Sequence, residues 1–169
     1  MDTCKFISMK TENIINLLNQ LKRHEGFSGK PYKCTKGFET IGYGRNLETN
    51  PIYGDDFIFI NKRDFNNSPM TESEATYLLQ KDISRAMMQL EKNMDFYSEL
   101  SEVRKCVLIN MVFNLGYNGV LKFKKTLYNI KYGNFEEAAK EMLDSKWAEQ
   151  VHGRAFELAE QMRTNKWRT

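Results

Sequence analysis

Between His24 and Gly44 the chain reads HEGFSGKPYKCTKGFETIGYG, and this stretch constrains the fold more than any other. Gly26, Gly29, Pro31, Gly37, Gly42 and Gly44 crowd into it, so no helix can cross it. Just upstream, Ile14, Ile15, Leu17, Leu18 and Leu21 recur at helical spacing. They predict a helix over about Glu12–His24, capped by Thr11 and ended by Gly26. Beyond it, Tyr32–Thr35 and Phe38–Tyr43 read as two short strands around a Lys36-Gly37 turn. Glu25 therefore stands where a helix gives way to a tight ribbon, an arrangement that holds a few side chains over a groove.

The rest of the chain turns helical. Asn46–Pro69 is rich in Asn, Asp and Pro and reads as loop, with the apolar run Phe57–Ile60 as a third strand. Thr71 followed by Glu74 forms a capping box that opens the longest helical pattern, about Glu72–Lys92. Ala75, Leu78, Leu79, Ile83, Ala86, Met87 and Leu90 carry its apolar period. Val103–Leu115 is apolar nearly all round, which marks a buried central helix broken by Gly116 and Gly119. Shorter amphipathic helices follow at about Leu121–Lys131, Phe135–Ser145 and Gly153–Arg163. Met1–Lys10 fits no pattern. The expected class is α+β, a single catalytic domain of two lobes. A small αβ lobe with a short antiparallel sheet spans about 25–71, a linking helix 72–92, and an all-α lobe 93–169 together with the helix 12–24.

Composition narrows the function. With 41% hydrophobic residues the chain can bury a real core. A net charge of +3 suits an anionic polymer or surface, but no dense Lys/Arg stripe with interleaved aromatics points to nucleic acid. Cys4, Cys34 and Cys106 are an odd count without close spacing, which argues against a disulfide framework or a zinc site. His24 and His152 have no ligand spacing, so neither metal nor cofactor is expected. No run is apolar and long enough to cross a membrane, and the opening MDTCKFISMKTEN lacks the apolar core of a secretory signal. The expectation is synthesis in a cytoplasm.

Taken singly, the polar residues of the ribbon have bland readings. Glu25 suits a general acid, yet a solvated helix-end glutamate is the commoner case. Thr40 can hold a water or merely sit in a strand; Cys34 can be a reactive or water-positioning thiol or a small buried hydrophobe. Phe113 and Trp147 can stack on sugar rings, but their helical spacing favours core packing.

The combination is more specific. Glu25-x8-Cys34-x5-Thr40 resembles the Glu-x8-Asp/Cys-x5-Thr signature of phage-type lysozymes, the endolysins related to the lysozyme of T-even phages. The resemblance continues through MTESEA at Met70–Ala75, VRKCVLINMVFNLG at Val103–Gly116, FEEAAKEMLDSKW at Phe135–Trp147 and GRAFELAEQMRTNKW at Gly153–Trp167. It spans roughly Ile14–Trp167, in order.

The resemblance implies a lysozyme-like fold and a muramidase that cleaves peptidoglycan between N-acetylmuramic acid and N-acetylglucosamine, lysing the wall. It implies Glu25 as proton donor, Thr40 as a ligand of the attacking water, and Arg154 as the ion-pair partner of Glu25. Gly44, Phe113, Asn114 and Thr126 are implied in the sugar cleft, with Lys146 where the family often has Arg. Arg45 and Asp82 are implied as a lobe-bridging ion pair. The implied partner is peptidoglycan, and the expectation is a monomer that reaches it in the periplasm after holin-type release, with no nucleic acid and no stable membrane insertion.

Two departures stand out. Asn46 replaces an apolar residue expected there, and Cys34 occupies the place where the best-known members have Asp. A thiol is a weaker base than a carboxylate unless it ionises, and as thiolate it is a good nucleophile. Inverting and retaining routes are both compatible with it. Three rival readings have other signatures: a wall-binding module with a degenerate site, a cationic protein acting through the stripe Ala155, Leu158, Ala159 and Met162, and a lytic transglycosylase, which needs only one Glu.

Overall fold

In a computed structural model, residues 9–35 and 37–168 are described. The expected N-terminal extension, Lys36 and Cys4 thus fall wholly or largely outside the described residues. The chain divides into two compact units, one of Leu18–Ile83 and one of the residues through Leu17 with Ser84–Thr169. Helix α1 (Thr11–Glu25) and helix α2 (Glu72–Asn93) each begin in one unit and end in the other.

The Leu18–Ile83 unit carries a three-stranded antiparallel sheet in the order β1-β2-β3. Its strands are β1 (Ser28–Lys33), β2 (Glu39–Gly42) and β3 (Arg45–Asn46). Tyr32 pairs with Thr40 and Lys33 with Glu39, while the register shifts between Ser28 and Tyr32. Thr40 pairs in turn with Asn46 and Ile41 with Arg45. The first strand thus starts at Ser28 rather than Tyr32. Pro31 is tolerated because β1 is an edge strand, where a missing N–H costs no ladder bond.

The third strand is not Phe57–Ile60. That run lies in and after a 3-10 turn, Gly54–Ile58, which leaves Ile58 and Phe59 exposed and only Ile60 fully buried. The cause is Asp56, buried at the centre of the turn and held by Lys81 and Arg45. Arg45 also donates to Asp82 at 2.8 Å and to the carbonyls of Asn50 and Pro51, both at 2.9 Å. The Arg45–Asp82 pair therefore forms, and it lies inside this unit. The capping box is present as expected: the Glu74 amide donates to Thr71 Oγ1 at 3.2 Å, and the Thr71 amide to Glu74 Oε2 at 2.8 Å. Glu74 is gripped again by Arg63, at 2.7 and 2.8 Å, which ties the preceding loop to the start of α2.

The other unit is helical. Helix α3 (Glu102–Leu115) is capped by Ser101, ends at Gly116 with φ of +72°, and buries Cys106–Val112 continuously. Each such aliphatic side chain contributes on the order of 1.5–3 kcal/mol on burial. Around it come α4 (Tyr117–Val120), α5 (Lys124–Lys131), α6 (Phe135–Leu143), α7 (Lys146–Val151) and α8 (Gly153–Thr164). Gly119 sits within α4 rather than ending a helix, and α5 starts at Lys124, not Leu121. Helix α6 stops at Leu143, and Ser145 caps the additional helix α7 through the Ala148 amide at 3.1 Å. Helix α8 packs on α3, α6 and α7. Its stripe Ala155, Leu158, Ala159 and Met162 is at most 1% exposed, so this stripe is core and not a membrane-active face. In the same unit Asn13 of α1 donates to Glu102 and accepts from Trp167 Nε1 at 2.6 Å, stapling the start of α1 and the C-terminal segment to α3. Of the α1 stripe, Leu17, Leu18 and Leu21 are buried, whereas Ile15 is half exposed.

Candidate active site

The expected site residues fall in both units, and each group is built locally. In the Leu18–Ile83 unit Glu25 is the last residue of α1. The helix stops there because Gly26 takes φ of +69° while its amide still donates to the Lys22 carbonyl at 3.0 Å. The carboxyl is half-buried in an open hollow of about 230 Å³, lined by Glu25, Gly26, Phe27, Ser28 and Tyr32. Phe27 leans on Tyr43, with ring centroids 5.5 Å apart, and Lys22 Nζ lies 5.3 Å from the Tyr43 ring.

Gly44 comes up against the same carboxyl. With φ of +75°, its backbone passes so close that a Cβ there would lie 2.8 Å from Glu25 Oε2. Only glycine serves this position, both for the left-handed backbone and for the space.

Cys34 closes the β1–β2 hairpin. Its amide donates to the Phe38 carbonyl at 3.0 Å, and its carbonyl accepts from the Gly37 amide at 2.8 Å. The side chain is a half-buried thiol. Thr40, on the central strand, is buried and donates its hydroxyl to the Phe38 carbonyl at 3.1 Å. That bond occupies the hydroxyl proton and leaves the oxygen able to act as an acceptor. Tyr32, paired with Thr40 across the ladder, carries an electrostatic record of the cluster. Burial first, then the negative charge of Glu25 and of an ionised Cys34, push its phenol above the usual range. Tyr32 was not foreseen from the sequence. The available signal was its alternation in phase with the strand residues around Pro31.

In the helical unit Arg154, at the start of α8, is 9% exposed. Its Nε donates to Asn110 Oδ1 at 3.0 Å and its Nη2 to the Asn110 carbonyl at 3.3 Å. Asn110 is fully buried in α3. The signal for it was a lone amide in an otherwise apolar helix, VLINMVF. Phe113 and Asn114 are partly exposed at the end of α3, and Asn114 Oδ1 accepts from Trp147 Nε1 at 2.7 Å. Trp147 is only 4% exposed and meets Phe123 edge to face at 5.7 Å, so its ring is core. Thr126 is buried in α5 and Lys146 is exposed as the first residue of α7.

Residues 22–164 match the Phage lysozyme family. The chain belongs to the phage lysozyme family. It is 35% identical to the probable T4-type lysozyme 1 of Dictyostelium discoideum over 153 residues, 84% of this chain and 90% of that protein. It is 31% identical to the probable T4-type lysozyme 2 of the same organism, with the same two coverages. The pre-baseplate central spike protein Gp5 of Enterobacteria phage T4 is also 31% identical, and there the match takes in 83% of this chain but 26% of the spike protein. Among the described residues, no helix is long and apolar enough to cross a membrane.

Proposed function

We propose that this phage-lysozyme family member is a muramidase that hydrolyses the β-1,4 bond between N-acetylmuramic acid and N-acetylglucosamine in peptidoglycan and so lyses bacterial walls. The observation that carries this reading is the half-buried Glu25 carboxyl at a helix end, with Gly44 pressed against it and Tyr32 beside it. A carboxyl in such a hollow can hand a proton to the leaving glycosidic oxygen. Thr40 supplies an oriented acceptor for the attacking water, and Cys34, at the hairpin end, borders the space that water needs. In this reading the water is delivered opposite the proton donor, as in an inverting glycosidase. Gly44, Phe113, Asn114, Thr126 and Lys146 hold the glycan, the Asn114 amide NH2 being the donor suited to a sugar oxygen or acetamido carbonyl. Arg154 supplies a positive charge held in place by Asn110.

The test is digestion of purified peptidoglycan followed by mass spectrometry of the products. Reducing muramic acid ends support the reading. Anhydro-muramic ends mean transglycosylation, reducing glucosamine ends mean the other bond, and no products mean no such enzyme. A protein with Glu25→Gln run in parallel identifies any contaminating lytic activity.

A further inference from the structure

Helix α5 has two faces. Thr126 and Ile130 are buried, whereas Lys124, Lys125, Tyr128, Lys131 and Tyr132 are exposed. Lys124, Tyr128, Lys131 and Tyr132 follow one another at helical spacing and form a single outward stripe. Tyr128 and Tyr132 are each 62% exposed and lean together, ring centroids 4.7 Å apart and planes tilted by 52°. Two large rings paired in solvent cover each other only partly and leave flat outer surfaces for a ligand.

The charge of this segment is one-sided. From Leu121 to Phe135 there is no Asp or Glu, while Lys122, Lys124, Lys125 and Lys131 all lie in it. That is four positive charges in a chain whose net charge is +3. Acids come to this face from other parts of the chain: Asp95 meets Lys131 at 2.7 Å, and Glu141 meets Lys125 at 3.7 Å. Both contacts are on the surface, where such pairs exchange readily with other anions.

We propose that this outer face of α5 is an accessory binding surface for the anionic glycan strands of peptidoglycan, retaining the protein on the polymer. The proposal rests on the muramidase reading and adds a second contact to it. Pyranose rings offer flat C–H faces that pack on tyrosine, and the phenol hydroxyls can bond sugar oxygens. The stem peptides joined to the muramic lactyl groups carry scattered carboxylates, which flexible lysine point charges suit. The planar fork of arginine, favoured for bidentate phosphate recognition, is missing from Leu121–Tyr132, which speaks for carboxylates over a nucleic-acid backbone. Because Thr126 faces the opposite side of the same helix, the surface can be altered without touching the residues assigned to the cleft.

The experiment measures co-sedimentation of the full chain with purified insoluble sacculi, alongside cleavage of a short soluble peptidoglycan oligosaccharide. Tyr128→Ala/Tyr132→Ala and, separately, Lys124→Glu/Lys125→Glu should each weaken sedimentation about tenfold. Both should leave soluble cleavage at the parent rate. The lysine variant should also lose the salt dependence of sedimentation. Sedimentation equal to the parent's in both variants overturns the proposal. So does a parallel fall in soluble cleavage, or a loss confined to phosphatidylglycerol vesicles or duplex DNA. Failure of the parent to cleave either substrate defeats the muramidase reading instead, and sedimentation still reports on the α5 face.

Discussion

Gly44 approaches Glu25 so closely that a methyl group on it would stand 2.8 Å from the Oε2 atom. The backbone of β2–β3 thus sets the position of the carboxyl at the end of α1. Gly44→Ala should cost about 1–2 kcal/mol of stability through the left-handed backbone alone. It should also push the carboxyl aside, and a misplacement of about 1 Å can cost 10²-fold in rate. Gly54→Ala is the control, since Gly54 has φ of +55° with no neighbouring atom within 4 Å of the added Cβ. Urea unfolding should show similar losses for both variants, while the lysis rate should fall only for Gly44→Ala.

Glu25→Gln should keep the fold and lose nearly all activity. General acid catalysis contributes about 10²–10⁴-fold, and the other residues lining the hollow, Gly26, Phe27, Ser28 and Tyr32, carry no carboxyl to take over. The check is a lysis assay beside circular dichroism. More than half the parent rate from a folded variant would remove Glu25 from the role.

Much of the fold was legible because long elements announce themselves by period. Helices α1, α2 and α3 appear within a residue or two of their expected bounds, and the Thr71–Glu74 box is formed. The sheet was harder. Gly29 and Pro31 read as breakers, yet they sit in an edge strand that shifts register beside them. Strand β3 has only two residues, too few to show alternation. Phe57–Ile60 has the composition of a strand, but the burial of Asp56 against Arg45 and Lys81 decides for a 3-10 turn, and no local pattern encodes that tertiary contact. For the site, spacing and resemblance singled out Glu25, Cys34, Thr40 and Gly44. Tyr32 alternates along its strand and Asn110 is a lone amide in an apolar helix, but the charge of Glu25 on the one and the bond from Arg154 to the other arise only in the fold.

Arg45 should prove a stability residue. It is 4% exposed and balances two acids, Asp56 and Asp82, while filling the carbonyls of Asn50 and Pro51. Arg45→Met leaves these groups poorly compensated, and breaking a buried pair costs about 3–5 kcal/mol. Chemical denaturation measures it. A loss below about 1 kcal/mol, the value of a surface pair, would mean that solvent replaces the guanidinium.

Glu74 predicts acid sensitivity. Hydrogen bonds from Arg63, aided by the amide and hydroxyl of Thr71, lower its carboxyl from 4.5 to about 2. A folded value below the unfolded one gives stability that is complete above the unfolded value. That stability drains away as pH falls from about 4.5 toward 2. Glu74→Gln should therefore flatten the pH dependence of the unfolding midpoint in that window and leave the slope above it unchanged. Identical profiles for parent and variant would show that the Arg63 contact does not persist in solution.

Cys34 gives the sharpest test of mechanism. It stands at the hairpin end, just past the strand that pairs with Thr40. If it positions water, what matters is a small polar group of the right reach. Cys34→Asp should then keep substantial activity, Cys34→Ser less, and Cys34→Ala least. Alkylation of the thiol, with Cys4 and Cys106 replaced for selectivity, should fill the space for water and inhibit strongly. Burial already pushes the Cys106 thiol up to about 12, so at neutral pH it should react far more slowly than the half-buried Cys34. A nucleophilic thiol predicts the opposite series: Cys34→Asp inactive, and a glycosyl adduct on Cys34 trapped by mass spectrometry, with retained anomeric configuration. An alkylated enzyme running at the parent rate would place Cys34 outside the chemistry, and the catalytic assignment would then rest on Glu25 and Thr40 alone.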